Sequence, residues 1–212
     1  MVTSVDGAIS LGGHSRPISG DADWHLFGLQ RALADAIVVG AGTARTEGYG
    51  PGRARPEFAH LRDRAGQPPS PTLVLVTRTG TLDADGDYLG GAATPVVVTC
   101  ADGSRSLGDV AERADVVVAG EDTVDLGSAL DQLAERGFRR VLSEGGPHLL
   151  GSLFDANRVD ELVTSLSPLV VGGDAGRMVG GASSRARPLA LAGLLESEGS
   201  LFMHYRRGGA DQ

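Results

Sequence analysis

The stretch LSEGGPHLLGSL, residues 142–153, joins a short apolar run to a helix-like one across two adjacent glycines and a proline. A strand ending near Ser143 and a helix starting near Pro147 put the glycines at the carboxyl end of a strand. Pro147 then sits in a first turn, where its missing N–H costs nothing. Ligands of α/β sheets bind at that end, and the free N–H groups and dipole of a helix N-terminus favour an anion. Glycines let a pyrophosphate approach the backbone with no Cβ in the way. A plain β-to-α turn also uses glycine, so two readings stand: a turn, or a phosphate cradle. Glu144 beside a phosphate is electrostatically poor unless it points elsewhere, at a donor group of a substrate. Otherwise it is a solvated turn acid.

A second glycine turn, VVGAGTARTEGYGP (38–51), again follows an apolar run. Gly40-x-Gly42 is a fragment of the dinucleotide fingerprint, with Arg45 in the third glycine position and no acidic residue ending a second strand about 20 residues on, where a long loop sits instead. Thr43 and Glu47 lie one helical turn apart and can face one ligand. Near the N-terminus, Asp6-Gly7 is a turn signal. Trp24, the only tryptophan, is either core or a cover for a flat ring. All 19 basic residues are Arg, which excludes a Schiff-base or Walker-A lysine. The five histidines are scattered, with no H-E-x-x-H and no G-x-S-x-G. No metal site is expected.

The elements that must position these residues alternate. DAIVVG (35–40), TLVLVT (72–77), PVVVTC (95–100), ADVVVAG (114–120) and RRVLSEGG (139–146) are apolar runs bounded by Gly, Pro or Asp. They fit strands buried on both faces of a parallel sheet. Helices are expected over 22–35, with Asp21 or Asp23 as a cap, over 125–137, stopped by Gly137, and over 146–160. Residues 160–173 read as a strand whose proline favours an edge or a bulge. Residues 189–207 read as two strands joined near Gly199. Segments 48–71 and 172–188 read as long loops, functional or merely inserted. The whole predicts one α/β domain over 1–212, three-layer αβα, with a mixed, mostly parallel sheet and a C-terminal antiparallel ribbon.

Composition narrows the function. A net charge of −8 argues against a nucleic-acid partner. With no run of 18 apolar residues and no charged-then-apolar N-terminus, a soluble cytoplasmic protein is expected, with no membrane partner. The single cysteine, Cys100, permits no intramolecular disulfide and reads as a buried structural thiol.

In order along the chain, Ser4-Val5-Asp6-Gly7, Ala34–Gly40 leading to Thr43 and Glu47, Glu144-Gly145-Gly146-Pro147-x-Leu149, Asp160-Glu161-Leu162 and Leu169–Gly173 resemble a known family. It is the pyrimidine reductase of bacterial riboflavin biosynthesis, the reductase domain often fused behind a zinc deaminase, with a dihydrofolate-reductase-like fold. The resemblance implies NADPH as hydride donor for a ribosylaminopyrimidine phosphate, whose ribose becomes ribityl. It implies cofactor contacts from Gly145, Gly146, Pro147, His148, Leu149, Leu150, Gly151 and Ser152, with Trp24, Gly40, Thr43, Glu47, Thr77 and Arg78. Arg31 and Arg53 are expected to hold the substrate phosphate, with Arg55 as rival to Arg53, and Glu144 to contact the substrate. Glu144, Glu47 and Asp6 are the candidate catalytic acids, with water as a further proton source. A homodimer is expected, with the final strands as candidate interface.

Three departures qualify the resemblance. The deaminase motif is absent, and one cysteine cannot build it, so a stand-alone reductase is expected. Many relatives carry a lysine on the first strand just before the Ser-x-Asp-Gly turn; here the chain starts at Met1 and has no lysine, so the start lies upstream or the role is filled otherwise. Glu47 stands where relatives often have Asp. A pterin or dihydrofolate reductase on the same fold, and a nucleotide-binding protein without turnover, remain the alternatives.

Overall fold

The computed structural model describes residues 1–208. In chain order the elements begin with β1 (Val2–Ser4), α1 (Asp21–Leu33), β2 (Ala36–Gly40), α2 (Ala41–Thr46), α3 (Ala59–Ala65) and β3 (Thr72–Val76). There follow β4 (Val96–Thr99), α4 (Ala101–Ser104), α5 (Val110–Arg113), β5 (Asp115–Val118), α6 (Leu126–Glu135) and β6 (Val141–Gly145). The chain closes with α7 (Pro147–Asp155), β7 (Glu161–Ser167), β8 (Leu189–Ser197) and β9 (Ser200–Arg207). It divides into two compact units: Gly28–Gly146, and Met1–Phe27 together with the residues from Pro147 onward.

The unit Gly28–Gly146 holds a five-stranded parallel sheet in the order β5-β4-β3-β2-β6. The five β-branched runs supply these strands. Both faces of β2, β3 and β4 are buried, which is why their sequences are continuous rather than alternating. Ile37, Val39, Leu73, Leu75 and Val97 pack with Tyr88, Leu89, Leu107 and Val110 into one core. Asp125 caps α6 by accepting from the Ser128 N–H at 3.0 Å, and Leu126, Ala129 and Leu133 face inward at helical spacing. Cys100 is buried, and its thiol donates to the Arg78 carbonyl at 3.3 Å.

Segment 48–71 is not simply a loop. It contains α3, whose Arg62 is buried and donates to the carbonyls of Ala32 at 3.1 Å, Ala34 at 2.7 Å and Pro68 at 2.6 Å. Carbonyls at the end of a helix have no intrahelical partner, and Arg62 supplies one for α1. One arginine among four in a Pro-, Gly- and Arg-rich stretch carries no sequence sign of this role.

The other unit holds a four-stranded sheet in the order β1-β7-β9-β8. The five-stranded parallel sheet and the antiparallel ribbon are thus not hydrogen-bonded to each other. Strand β7 lies between β1, parallel, and β9, antiparallel. The expectation of an edge strand or a bulge there is corrected: Pro168 falls just past the end of β7 and removes no ladder bond. β8 and β9 form a hairpin whose turn residues, Glu198 and Gly199, both have positive φ, 56° and 77°. That is the turn sense that matches strand twist. Helix α1 starts at Asp21. Asp23 accepts from the hydroxyls of Ser19 and Ser165, both at 2.5 Å.

Candidate active site

Strand β6 pairs with β2 through Val38↔Ser143 and Val39↔Gly145, so Glu144 is an extra residue in the ladder. Such a bulge re-aims one side chain while its neighbours keep their register. The Glu144 carboxylate accepts from Arg31 in a two-point fork, Nε to Oε1 and Nη2 to Oε2, both at 2.6 Å. Tyr49 Oη donates to the same Oε2 at 2.8 Å. The Arg31 guanidinium also lies 5.6 Å from the Tyr49 ring centre. The Glu144 side chain is only 2% exposed, against 24% for Arg31, so the solvated-acid reading is excluded.

Burial alone would lower the Arg31 pKa, but the hydrogen bonds and charge of Glu144 outweigh it and the net shift is upward. Tyr49 is pushed well above the ordinary phenol range, first by burial and then by the Glu144 charge. It is therefore a neutral donor. Three residues separated by up to 113 positions make one charge-balanced cluster. Arg31 and Glu144 were expected to meet the substrate; in this structure they meet each other, and Tyr49 was not foreseen.

The two glycine turns converge. An added Cβ on Gly146 would lie 2.5 Å from the Thr43 hydroxyl, and one on Gly40 would lie 3.9 Å from the Gly145 carbonyl. Gly145 has φ +94°, which only glycine adopts readily, and the Gly145–Gly146 peptide is cis. Gly42, in the first turn of α2, has nothing within 4 Å of its Cβ position. The two turns therefore pack together at the carboxyl ends of β2 and β6, with the Thr43 hydroxyl between them and Gly145 buried. Glu47 closes α2, its N–H donating to the Thr43 carbonyl at 2.9 Å.

At the carboxyl ends of β3 and β4, Arg78, Thr79, Asp102, Gly103, Asp122 and Thr123 line a cavity of about 390 Å³. Arg78 is exposed there, whereas Thr77 is buried and its hydroxyl accepts from the Gly80 N–H at 3.2 Å. Asp102 is paired with Arg105. Arg53 is exposed. Arg55 instead lies on α1: a Cβ on Gly28 would come within 2.7 Å of its Nε. Gly28 and Arg31 share a helix face, so Arg55 and Arg31 lie along one side of α1.

The remaining predicted residues belong to the other unit. Asp6 accepts from the Ser4 hydroxyl at 2.5 Å, the Gly172 N–H at 2.7 Å and the Val171 N–H at 3.2 Å. Those bonds, the Ser4 one foremost, lower its pKa to about 2. Beside it is a cleft of about 490 Å³ lined by Thr3, Gly7, Gly172, Arg177 and Met178 among others. In α7, His148 and Ser152 are exposed while Leu149, Leu150 and Gly151 face inward. An added Cβ on Gly151 would lie 2.1 Å from the Gly180 carbonyl, so this glycine admits a loop. Trp24 stacks on Phe27 at 5.3 Å, with the Arg16 guanidinium 5.0 Å from its ring centre.

Among curated proteins, the chain is 31% identical over 175 residues to the 2,5-diamino-6-ribosylamino-4(3H)-pyrimidinone 5′-phosphate reductase of Archaeoglobus fulgidus, covering 82% of this chain and 80% of that protein. It is 30% identical over 181 residues to the protein of the same name from Methanothermobacter thermautotrophicus, covering 84% and 80%. Among solved structures, a pyrimidine reductase-like protein from Corynebacterium diphtheriae superposes with a TM-score of 0.86 at 28% identity, over 97% of this chain and 88% of that one. Residues 1–199 match the RibD C-terminal domain. The chain belongs to the RibD C-terminal domain family.

Proposed function

We propose that this chain is a reductase of riboflavin biosynthesis that takes a ribosylaminopyrimidine phosphate as substrate, NADPH as hydride donor, and works as a homodimer. The observation that carries the reading is the convergence of the two glycine turns on Thr43, next in sequence to Glu144 and its partners Arg31 and Tyr49. The names of the curated relatives supply the substrate class.

The residues fit the cofactor. Gly40, Gly42, Gly145 and Gly146 offer backbone without Cβ groups to a pyrophosphate, and Thr43 offers a hydroxyl. Arg78 would meet the 2′-phosphate, the group that separates NADPH from NADH. The cofactor's contribution when bound is a hydride for C1′ of the sugar. The protein orients: Glu144 fixes Arg31, whose exposed edge, with Arg55, offers guanidinium N–H groups to the substrate phosphate. Glu144, Glu47 and Asp6 are the candidate proton-delivering acids, with water as a further source; Glu47 closes α2, one helical turn from Thr43.

Purified protein with NADPH and the pyrimidine phosphate tests the reading. Substrate-dependent NADPH oxidation is expected. Oxidation only with dihydrofolate or a pterin, or cofactor binding without turnover on any of these, overturns it.

A further inference from the structure

Arg31 stands in the last turn of α1, where carbonyls run short of intrahelical partners. Segment 55–68 supplies them. Arg62 Nη1 donates to the carbonyls of Arg31 at 3.5 Å, Ala32 at 3.1 Å and Ala34 at 2.7 Å, and Gln67 Nε2 donates to that of Leu33 at 3.2 Å. Two side chains thus engage four consecutive carbonyls. Arg62 Nε also donates to the Pro68 carbonyl at 2.6 Å, which ties the guanidinium to its own segment. Arg62 is 1% exposed. Its charge meets the negative pole of α1, and Asp35 adds to the attraction. A planar guanidinium fork holds such a set of acceptors in one geometry, whereas an ammonium on a flexible stem does not.

The same network reaches Glu144. Asp35, just past α1, accepts from Gln67 Nε2 at 2.6 Å through one oxygen. Its other oxygen accepts from the N–H groups of Arg139 and Arg140, at 2.9 and 2.8 Å. Those residues lead into β6, whose bulge carries Glu144. Both partners of the Arg31–Glu144 fork therefore sit on elements joined through Arg62, Gln67 and Asp35.

Segment 55–68 touches α1 at two places. Arg55 lies against Gly28, one turn before Arg31, and Arg62 grips the carbonyls up to Ala34. Arg31 stands between these attachments, so one segment sets its separation from Arg55. Recognition of a phosphate by guanidinium forks depends on that spacing, and a displacement on the order of 1 Å, caused far from the ligand, is enough to spoil it.

We infer that Arg62 is a positioning residue for the substrate phosphate: it fixes where Arg31 and Arg55 stand without meeting the substrate itself. The inference rests on the reading of those two arginines as the phosphate-binding pair. The test compares the full chain with Arg62→Met, Arg62→Lys and Gln67→Leu. Inorganic phosphate, titrated by phosphorus NMR, should bind Arg62→Met about tenfold more weakly, and KM for the pyrimidine phosphate should rise by about the same factor. The Kd for NADPH and kcat should stay within about twofold, as expected when only uniform substrate binding is lost. Arg62→Lys and Gln67→Leu should shift phosphate binding and KM in the same direction by less, and they carry the comparison if Arg62→Met does not fold. A residue that serves stability alone lowers the unfolding midpoint and leaves phosphate binding and KM unmoved; that result overturns the inference. If the wild type reduces no pyrimidine phosphate but the variants still weaken phosphate binding, the reductase reading falls and the positioning role stands. A wild type that binds no phosphate overturns the arginine pair and the inference together.

Discussion

Two acids follow strand-like runs in this chain, and their surroundings are opposite. Glu144 is shut away among side chains, with a guanidinium fork and a phenol. Asp6 stands in solvent and spends its oxygens on a hydroxyl and two backbone N–H groups of a distant loop. The first balances a charge that burial would otherwise make costly; the second ties down chain. The difference teaches that an acid beside a glycine signals a constrained turn, and that burial decides whether side chains or backbone are being held.

The sharpest way to break the comparison is Glu144→Ala. It leaves Arg31 partly buried without its counter-charge, and unfolding in urea should show a loss of about 2–3 kcal/mol. That is below the ~3–5 kcal/mol for breaking a fully buried pair, because Arg31 keeps some exposure to water. The site should be lost with it. Gly42→Val comes next. Its Cβ position is open, so the melting temperature should hardly move while NADPH affinity falls about tenfold or more, equivalent to about 1.4 kcal/mol by isothermal titration. Unchanged affinity would remove the cradle assignment. Gly146→Val is the poorer probe, since it strikes Thr43 before it meets any ligand.

Tyr49→Phe removes one charge-assisted hydrogen bond and should cost about 1.5 kcal/mol in the same urea titration. Asp6→Asn should have the smallest effect on global stability and should appear instead as faster proteolysis within 172–178. Its pH dependence has a definite sign. The folded pKa is depressed from 3.8 to about 2, so the stabilisation is fully present above about pH 4 and is lost as pH falls through about 2. Protection of the Gly172 amide against hydrogen exchange should follow that curve. Protection that persists below pH 2 would mean that Asp6 does not hold the loop.

Much of this was legible from residue types. Continuous Val-rich runs fit strands buried on both faces, as β2, β3 and β4 are, so the parallel sheet could be read from them, although β5 at the sheet edge is partly exposed. The glycine turns were recognisable because positive φ and close approach leave few alternatives to glycine. What stayed hidden were the partners. Nothing local says that Arg31 will find Glu144, because the link depends on a bulge in a strand more than a hundred residues away. Arg62 was invisible for the same reason: its partners are backbone carbonyls, which carry no sequence signature. The strand assigned through Pro168 misled because a proline one residue past a strand and one inside it look alike in sequence.

The bulge at Glu144 has a consequence for how such a site can be gained or lost. Ser143 and Gly145 already oppose consecutive residues of β2, so excising residue 144 altogether would restore a one-to-one register to the ladder. The site acid is, in effect, a one-codon insertion into an otherwise regular strand. Deletion and substitution at this position should therefore differ. Both remove the acid and its hold on Arg31, but deletion straightens the sheet whereas substitution leaves the strand kinked.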